Sequence, residues 1–233
     1  SEKFLPDGVW AAGNAPVDEA ALRGLACWLG LDLSSVNDLT ALIAVFGDPD
    51  SGYTILCRFY LPEDNIVALE RQHRVPYRHW ADQGFITLTP GGSVDYEFIR
   101  ADVLRWADLY DVQSVFVDPC NATHLIYELR DQDGLDVKEI RQGTMSLNAP
   151  TKELLRLAIA GLLRHGGHPV LRWHASNAVV TKDENENIRL NKKKSREKID
   201  GMAGLVNAIA AAMDGGGPRA GRSKYEDEDL LFV

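Results

Sequence analysis

The stretch "LGLDLSSVNDLTALIAVF", residues 29–46, decides the fold because it places an acid between two apolar strand patterns. Residues 27–33 indicate a buried strand, and residues 40–46 are apolar enough to pair beside it. Asp32 interrupts the first strand, where a bare carboxylate is costly unless it is paired or binds a metal. Asp32 is therefore the first candidate functional residue of the chain.

The sequence that follows predicts a meander of three antiparallel strands. "SSVND" (34–38) separates the first two strands, and "GDPDSG" (47–52) is a strong turn signal before a third strand at residues 53–60. Turns this short favour antiparallel pairing of consecutive strands.

Helical and strand patterns alternate in the rest of the chain. "SVFVDP" (114–119) predicts a fourth strand, and a helix is predicted from Asn148 and Pro150 to His165. A hairpin is predicted around "DENEN" (183–187), and the last helix covers residues 199–213. This order predicts an α/β fold with a mixed sheet, helices on both faces and a C-terminal hairpin.

Composition indicates a globular protein of ordinary make-up. The 233 residues suit one large domain or one domain with extensions, and 45% are hydrophobic against 25% charged. No apolar run is long enough to span a bilayer, and no secretory signal is visible. Cys27, Cys57 and Cys120 match no zinc spacing, which predicts reduced core thiols in a cytosolic protein.

The formal net charge of −9 taken alone argues against a nucleic-acid partner, but the charge is unevenly distributed. The segment "RLNKKKSREK", residues 189–198, is strongly basic, and such a patch can bind phosphate on an acidic molecule. The candidate DNA contacts are Lys192, Lys193, Lys194, Arg196 and Lys198. The alternative is a solvated loop without a ligand.

Two further acids join Asp32 as candidates. Asp118 lies at the C-terminal end of the fourth strand, where ligand sites of open α/β sheets collect. Asp200 lies in the first turn of the last helix, where the helix dipole favours a carboxylate. If the first and fourth strands are neighbours, the three acids meet and repel one another, and hard divalent cations such as Mg²⁺ or Mn²⁺ resolve that repulsion.

Each acid also has a structural interpretation. An aspartate before proline commonly caps a turn, which is an alternative for Asp118, and Asp200 can serve only to start its helix. Asp32 is the hardest to explain in this way because its flanks are apolar.

A family resemblance covers most of the chain. Segments in order across residues 28–213 resemble the nuclease domain of the tailed-phage terminase large subunit, which has a ribonuclease H-like fold. The matching segments are "WLGLDLSSVNDLTAL", "VPYRHWADQGFITLTPGG", "VFVDPCNATHL", "IRQGTMSLNAPTKELLRL", "HGGHPVLRWHASNAVV" and "KKKSREKIDGMAGLVNAIAAAM". The resemblance implies that Asp32, Asp118 and Asp200 are the metal-binding catalytic acids.

The resemblance also implies a reaction and a setting. It implies that double-stranded concatemeric viral DNA is cut during genome packaging in the host bacterial cytoplasm, by two-metal phosphodiester hydrolysis. The implied partners are DNA, the portal, the small terminase subunit and an ATPase motor. No G-x-x-x-x-G-K-[ST] loop occurs in this chain, so ATP-driven translocation is not expected from it.

The expected boundaries follow from the same patterns. Residues 1–24 are predicted to be a linker or the end of a preceding domain, residues 25–213 the nuclease domain, and residues 214–233 a disordered acidic tail.

Three other functions compete. "GLDLSS" loosely resembles the first phosphate loop of sugar kinases and actin-like ATPases, but "VFVDPCNA" gives an Asp-Pro where those proteins need a second glycine-rich loop. A non-catalytic domain that docks DNA or a portal would use the basic segment and need no metal. A junction resolvase would have to select branched DNA.

Overall fold

The computed structural model describes residues 2–34 and 39–215, which form a mixed sheet flanked by helices. The strands are β1 Glu2–Lys3, β2 Ala26–Asp32, β3 Thr40–Asp48, β4 Gly52–Pro62, β5 Thr87–Thr89, β6 Asp111–Val117, β7 Val137–Glu139, β8 Leu163–Arg164, β9 Val179–Lys182 and β10 Ile188–Leu190. The helices are α1 Ile66–His73, α2 Tyr77–Asp82, α3 Tyr96–Leu109, α4 Thr123–Tyr127, α5 Thr144–Ile159, α6 Pro169–Asn177 and α7 Asp200–Asp214.

The central sheet has the predicted ribonuclease H-like arrangement. Its strand order is β5-β4-β3-β2-β6-β7, with β8 paired to β4. The strands β2, β3 and β4 are antiparallel neighbours, whereas β6 lies parallel to β2 and β7 parallel to β6. The first and fourth predicted strands are therefore adjacent, which was the condition for the acids to meet.

Alternate residues of the central strands supply two separate cores. On β3, Ala41, Ile43 and Val45 belong to the core beneath α5, α6 and α7. Leu42, Ala44 and Phe46 belong to the opposite core, which α3 and α4 cover. Helices on both faces are thus confirmed. The helix α7 is buried on nearly all sides and packs against β2, β3 and β6 as well as α5 and α6.

The predicted helix from Asn148 to His165 is wrong at both ends. The helix α5 begins at Thr144 and ends at Ile159, so Pro150 lies inside its second turn. Pro150 is the seventh residue of α5 and lies past the first four amides, which have no partner within a helix, so it removes one hydrogen bond from the helix. The residues predicted to end the helix instead form β8 and a turn, where Gly166 and Gly167 both have positive φ.

The predicted hairpin is confirmed, and the N-terminal segment completes its sheet. The strands β9 and β10 pair antiparallel, and β1 pairs with the other edge of β9. Phe4 and Leu5 are buried in the core beneath α7, and the stacked rings of Trp10 and His165 attach the following residues. The domain boundary proposed at residue 24 stays a prediction, although residues 2–24 pack on the domain.

Some sequence expectations need correction or lie outside the described residues. Cys27 and Cys57 are buried as predicted, but Cys120 is exposed because it lies in the turn after β6. Most of the predicted "SSVND" turn (35–38) and tail residues 216–233 lie outside the described part of the chain. No helix within the described part is long and apolar enough to cross a membrane.

Candidate functional site

Asp32 and Asp118 lie at the same edge of the sheet, on neighbouring strands. Leu31 pairs with Val117 in the parallel register of β2 and β6, so the residues that follow them, Asp32 and Asp118, come side by side. Parallel strands lie about 4.8 Å apart. Asp32 shares its face with Trp28 and Asp118 shares its face with Phe116, and both aromatic residues belong to the core beneath α7.

Close packing of α7 on β2 brings the third acid to this edge. Asp200 is the first residue of α7 and is 3% exposed, against 4% for Asp32. A Cβ atom on Gly30 would lie 2.1 Å from the carbonyl oxygen of Gly204 and 2.4 Å from the amide nitrogen of Ala208. Because Gly30 has no side chain, the backbones of strand and helix approach each other directly beneath the acids.

Lys192 joins two of the acids. Its Nζ lies 2.5 Å from Oδ2 of Asp32 and 3.1 Å from Oδ1 of Asp200. The side chains of both acids are at most 5% exposed, whereas that of Lys192 is 47% exposed. Lys192 was predicted to be a DNA contact, but its ammonium group is paired with the carboxylates of Asp32 and Asp200.

The charges of this cluster depend on one another. Burial raises the pKa of Asp32 to about 7, and the carboxylates of Asp200 and Asp118 contribute to the rise while Lys192 opposes it. Burial favours the neutral amine of Lys192, but the two carboxylates outweigh that effect and raise the pKa of Lys192 above its usual value. The cluster therefore stabilises a cation between Asp32 and Asp200.

Asp118 is placed differently from the other two acids. It is half-buried, and its Oδ1 accepts a hydrogen bond of 3.0 Å from the amide of Cys120. Asp118 therefore caps the turn after β6, which was the structural alternative considered from the sequence. The same carboxyl also lines a cleft of about 410 Å³ beside Lys192, so capping does not remove it from the site.

Two polar side chains that sequence patterns did not single out hold α7 in place, His174 at its first turn and Asn207 at its middle. His174 is completely buried, and its Nδ1 accepts a hydrogen bond of 2.8 Å from the amide of Gly201. The Nδ2 of Asn207 donates to the carbonyl oxygen of Leu31 at 2.8 Å, directly before Asp32. Helix N-termini leave amides without partners. A buried histidine opposite such an amide was a possible signal, but only the tertiary structure pairs them.

The chain after β2 is also held in place. The amide of Ser34 donates to Oγ1 of Thr40 at 2.9 Å, and that hydroxyl donates back to the carbonyl oxygen of Ser34 at 3.1 Å. The hydroxyl of Tyr96 donates to the same carbonyl at 3.2 Å. These contacts fix the backbone two residues beyond Asp32.

The basic segment lies along two clefts that meet at Lys192. Lys193 and Lys194 line the cleft that contains Asp118. Arg196 and Lys198 line a second cleft, of about 310 Å³, beside His73. Lys193, Lys194 and Arg196 are exposed, whereas Lys198 is half-buried and its backbone carbonyl accepts a hydrogen bond from Asn177.

The residues of the site fit a hard divalent cation in type. Oδ2 of Asp200 is buried and accepts no hydrogen bond from the described part of the chain, and the ammonium of Lys192 marks a position where a cation is favoured. All candidate ligands are carboxylate oxygens, which suit Mg²⁺ or Mn²⁺ rather than zinc. Among residues 2–34 and 39–215, however, no three His, Cys, Asp or Glu side chains already converge closely enough to hold one ion.

Comparison with known proteins gives a single family. The family model for the terminase large subunit, endonuclease domain, matches residues 3–215. The terminase large subunit of Enterobacteria phage HK97 is 33% identical over 215 residues, which are 90% of this chain and 41% of that protein. The chain spans less than half the length of the curated relatives it matches.

Solved structures agree with the sequence match. The crystal structure of the HK97 bacteriophage large terminase superimposes with a TM-score of 0.80 at 33% identity, over 91% of this chain and 44% of that one. The large terminase nuclease from thermophilic phage G20c with bound magnesium superimposes with a TM-score of 0.53 at 13% identity, over 87% of this chain and 96% of that one. The second likeness concerns the fold alone.

Proposed function

The chain belongs to the family of terminase large-subunit endonuclease domains, and from that premise we propose that it cuts double-stranded viral DNA concatemers during genome packaging. The observation that carries this proposal is the convergence of two buried carboxylates, Asp32 and Asp200, on one cation at a sheet edge shared with Asp118. A purely structural ion pair would not need a third acid beside it on the neighbouring strand.

We assign Asp32, Asp118 and Asp200 as the ligands of Mg²⁺ or Mn²⁺, with two ions in the active protein. Bound there, the metal would lower the pKa of a water nucleophile and offset the negative charge that develops on the phosphodiester. The G20c nuclease, which shares this fold, was crystallised with bound magnesium. Asp32 would hold the metal together with Asp118 on the neighbouring strand and Asp200 on the helix that packs against β2.

The protein's own groups position these acids and the DNA. His174 and Asn207 hold α7 so that Asp200 faces Asp32, and the close contact at Gly30 sets the distance between helix and strand. Lys193, Lys194 and Arg196 are proposed to bind the DNA backbone without reading bases, since their charges line the clefts on either side of the acids. Lys192 and Lys198 are the remaining lysines of the proposed DNA-binding segment.

The proposed setting follows from the family. We propose that the domain works in the host bacterial cytoplasm with the portal, the small terminase subunit and an ATPase motor domain. ATP hydrolysis is assigned to the motor, because this chain contains no P-loop sequence.

Plasmid cleavage tests the proposed reaction. Wild-type protein should linearise and degrade plasmid in Mg²⁺ or Mn²⁺ but not in excess EDTA, and Asp32→Asn should be inactive under all conditions. Asp108→Asn, an exposed aspartate on α3, is the matched control and should cut like wild type. Cleavage that survives EDTA would exclude the metal mechanism.

Thermal melting separates a functional from a structural role of Asp32. Metal binds the folded state preferentially and should raise the melting temperature of wild type but not of Asp32→Asn. Without metal the variant should be at least as stable as wild type, because burial of the Asp32 carboxylate outweighs its attraction to Lys192 and raises its pKa, so the charge is costly in the folded state. A non-catalytic docking domain would instead bind DNA equally well in both proteins and show no response to metal.

A further inference from the structure

The ammonium group of Lys192 occupies the position between two buried carboxylates that a metal ion would need. Nζ contacts Oδ2 of Asp32 at 2.5 Å and Oδ1 of Asp200 at 3.1 Å. An ammonium and a divalent cation bound to these same oxygens repel each other and require the same space. The pair seen here and the metal-loaded site are therefore two different states of the molecule.

We infer that Lys192 is an internal counter-ion, which keeps the acids neutralised in the metal-free protein and is displaced when the metal binds. This inference rests on the proposed metal site. Two carboxylates this deeply buried are costly without a cation, so the lysine stabilises the empty site. Its own side chain is 47% exposed, so it can leave without opening the core.

The surroundings of Lys192 offer the displaced side chain a new partner. Lys192 lines both the cleft with Lys193 and Lys194 and the cleft with Arg196 and Lys198. On leaving the acids, the ammonium joins this positive surface, where a DNA phosphate is the complementary ligand. Metal binding and DNA binding therefore strengthen each other, since each favours the state in which Lys192 has left the acids.

The exchange predicts that Lys192 weakens metal binding. A ligand's apparent association constant is its intrinsic value multiplied by the fraction of time that its site is open. If the lysine occupies the acids about nine-tenths of the time, removing it should tighten metal binding about tenfold. A lysine that remained in place and supported the metal-bound site would have the opposite effect.

Calorimetric titration with Mn²⁺ alone, without DNA, tests this exchange. Lys192→Met should bind Mn²⁺ about tenfold more tightly than wild type and melt at a lower temperature without metal. Lys152→Met is the matched control, because Lys152 is an exposed lysine of α5 that lines neither cleft, and its Mn²⁺ affinity should equal that of wild type. Lys192→Gln, a neutral side chain that can still donate to the carboxylates, replaces the methionine variant if that protein does not fold.

The outcomes are distinct. Equal or weaker Mn²⁺ binding by the Lys192 variant, with measurable binding by wild type, overturns the exchange and leaves the proposed metal site standing. Absence of binding by both proteins overturns the exchange and the metal site together. Tighter binding by the Lys192 variant alone supports the exchange.

Discussion

At the residue scale, a buried neutral histidine holds the first turn of α7. Nδ1 of His174 accepts a hydrogen bond from the amide of Gly201, so the proton of the neutral ring is on Nε2, which has no hydrogen-bond partner among residues 2–34 and 39–215. Burial lowers the pKa of His174 to about 3, and the positive charges of Lys192 and Lys198 contribute. Protonation would put a hydrogen on Nδ1 and break the contact that positions Asp200.

This lowered pKa makes the free energy of unfolding fall in mild acid. The unfolded chain binds a proton at His174 below its ordinary pKa of about 6.5, whereas the folded protein does so only near pH 3. Stability is thus fully present above pH ~6.5 and is lost as the pH falls below it, by up to about 1.4 kcal/mol per pH unit. His174→Asn keeps an acceptor at the position of Nδ1 and cannot be protonated.

We therefore expect urea unfolding between pH 7 and pH 5 to show a shallower loss of stability in His174→Asn than in wild type. Burial also lowers the pKa of His168, to about 4, so the variant should keep part of the dependence. Identical slopes in the two proteins would mean that His174 is not held neutral by the fold.

At the element scale, the contact between β2 and α7 decides where the acids lie. The helix is apolar on almost all sides, which fits its position between the sheet and the helices α5 and α6. Its approach to β2 is limited by backbone atoms, because Gly30 faces the carbonyl of Gly204. The side-chain amide of Asn207 then fixes the register through Leu31.

Gly30→Ala should destabilise the protein strongly for this reason. The new methyl group would overlap two backbone atoms that cannot move independently, and overpacking of a core commonly costs about 1–3 kcal/mol. Gly143→Ala is the control, since φ at Gly143 is −84° and a Cβ there meets nothing within 4 Å. Urea denaturation of both variants measures the difference, and a loss below about 0.5 kcal/mol in Gly30→Ala would contradict the close contact.

At the scale of the whole molecule, a net charge of −9 coexists with a basic segment beside the acids. The overall charge repels DNA at long range, so binding depends on local phosphate contacts and on salt. Lys193, Lys194 and Arg196 are exposed along the two clefts, whereas Lys192 is paired with Asp32 and Asp200. We assign the salt-dependent affinity to the three exposed side chains.

Replacing Lys193, Lys194 and Arg196 together by alanine should weaken DNA binding and flatten its salt dependence. Each lost phosphate contact lowers the slope of log affinity against log salt by about 0.9. The control loses the same number of exposed charges elsewhere, at Arg23, Arg78 and Arg130. Fluorescence anisotropy across a salt series measures both slopes, and equal slopes would make the basic segment a solvated loop.

Local sequence patterns were enough to predict the class of sheet and its strands β2, β3, β4 and β6, and to single out the three acids as candidates. The signals behind these predictions are local, because each lies within a single strand or helix or directly after it. They are the alternation around Asp32, the Asp-Pro after the fourth strand and the apolar pattern of the last helix. The start of α5 was predicted too late because proline normally marks the first turn of a helix, whereas α5 begins six residues before Pro150.

Only the tertiary structure decided what Asp32 faces. The contact to Lys192 joins residues 160 positions apart, and no periodic pattern encodes it. A run of lysines in sequence indicates a solvated or phosphate-binding surface, since nothing local distinguishes its first member from the next two. The fold distinguishes Lys192 because close packing at Gly30 brings Asp200 beside Asp32, and two buried carboxylates at that distance require a cation.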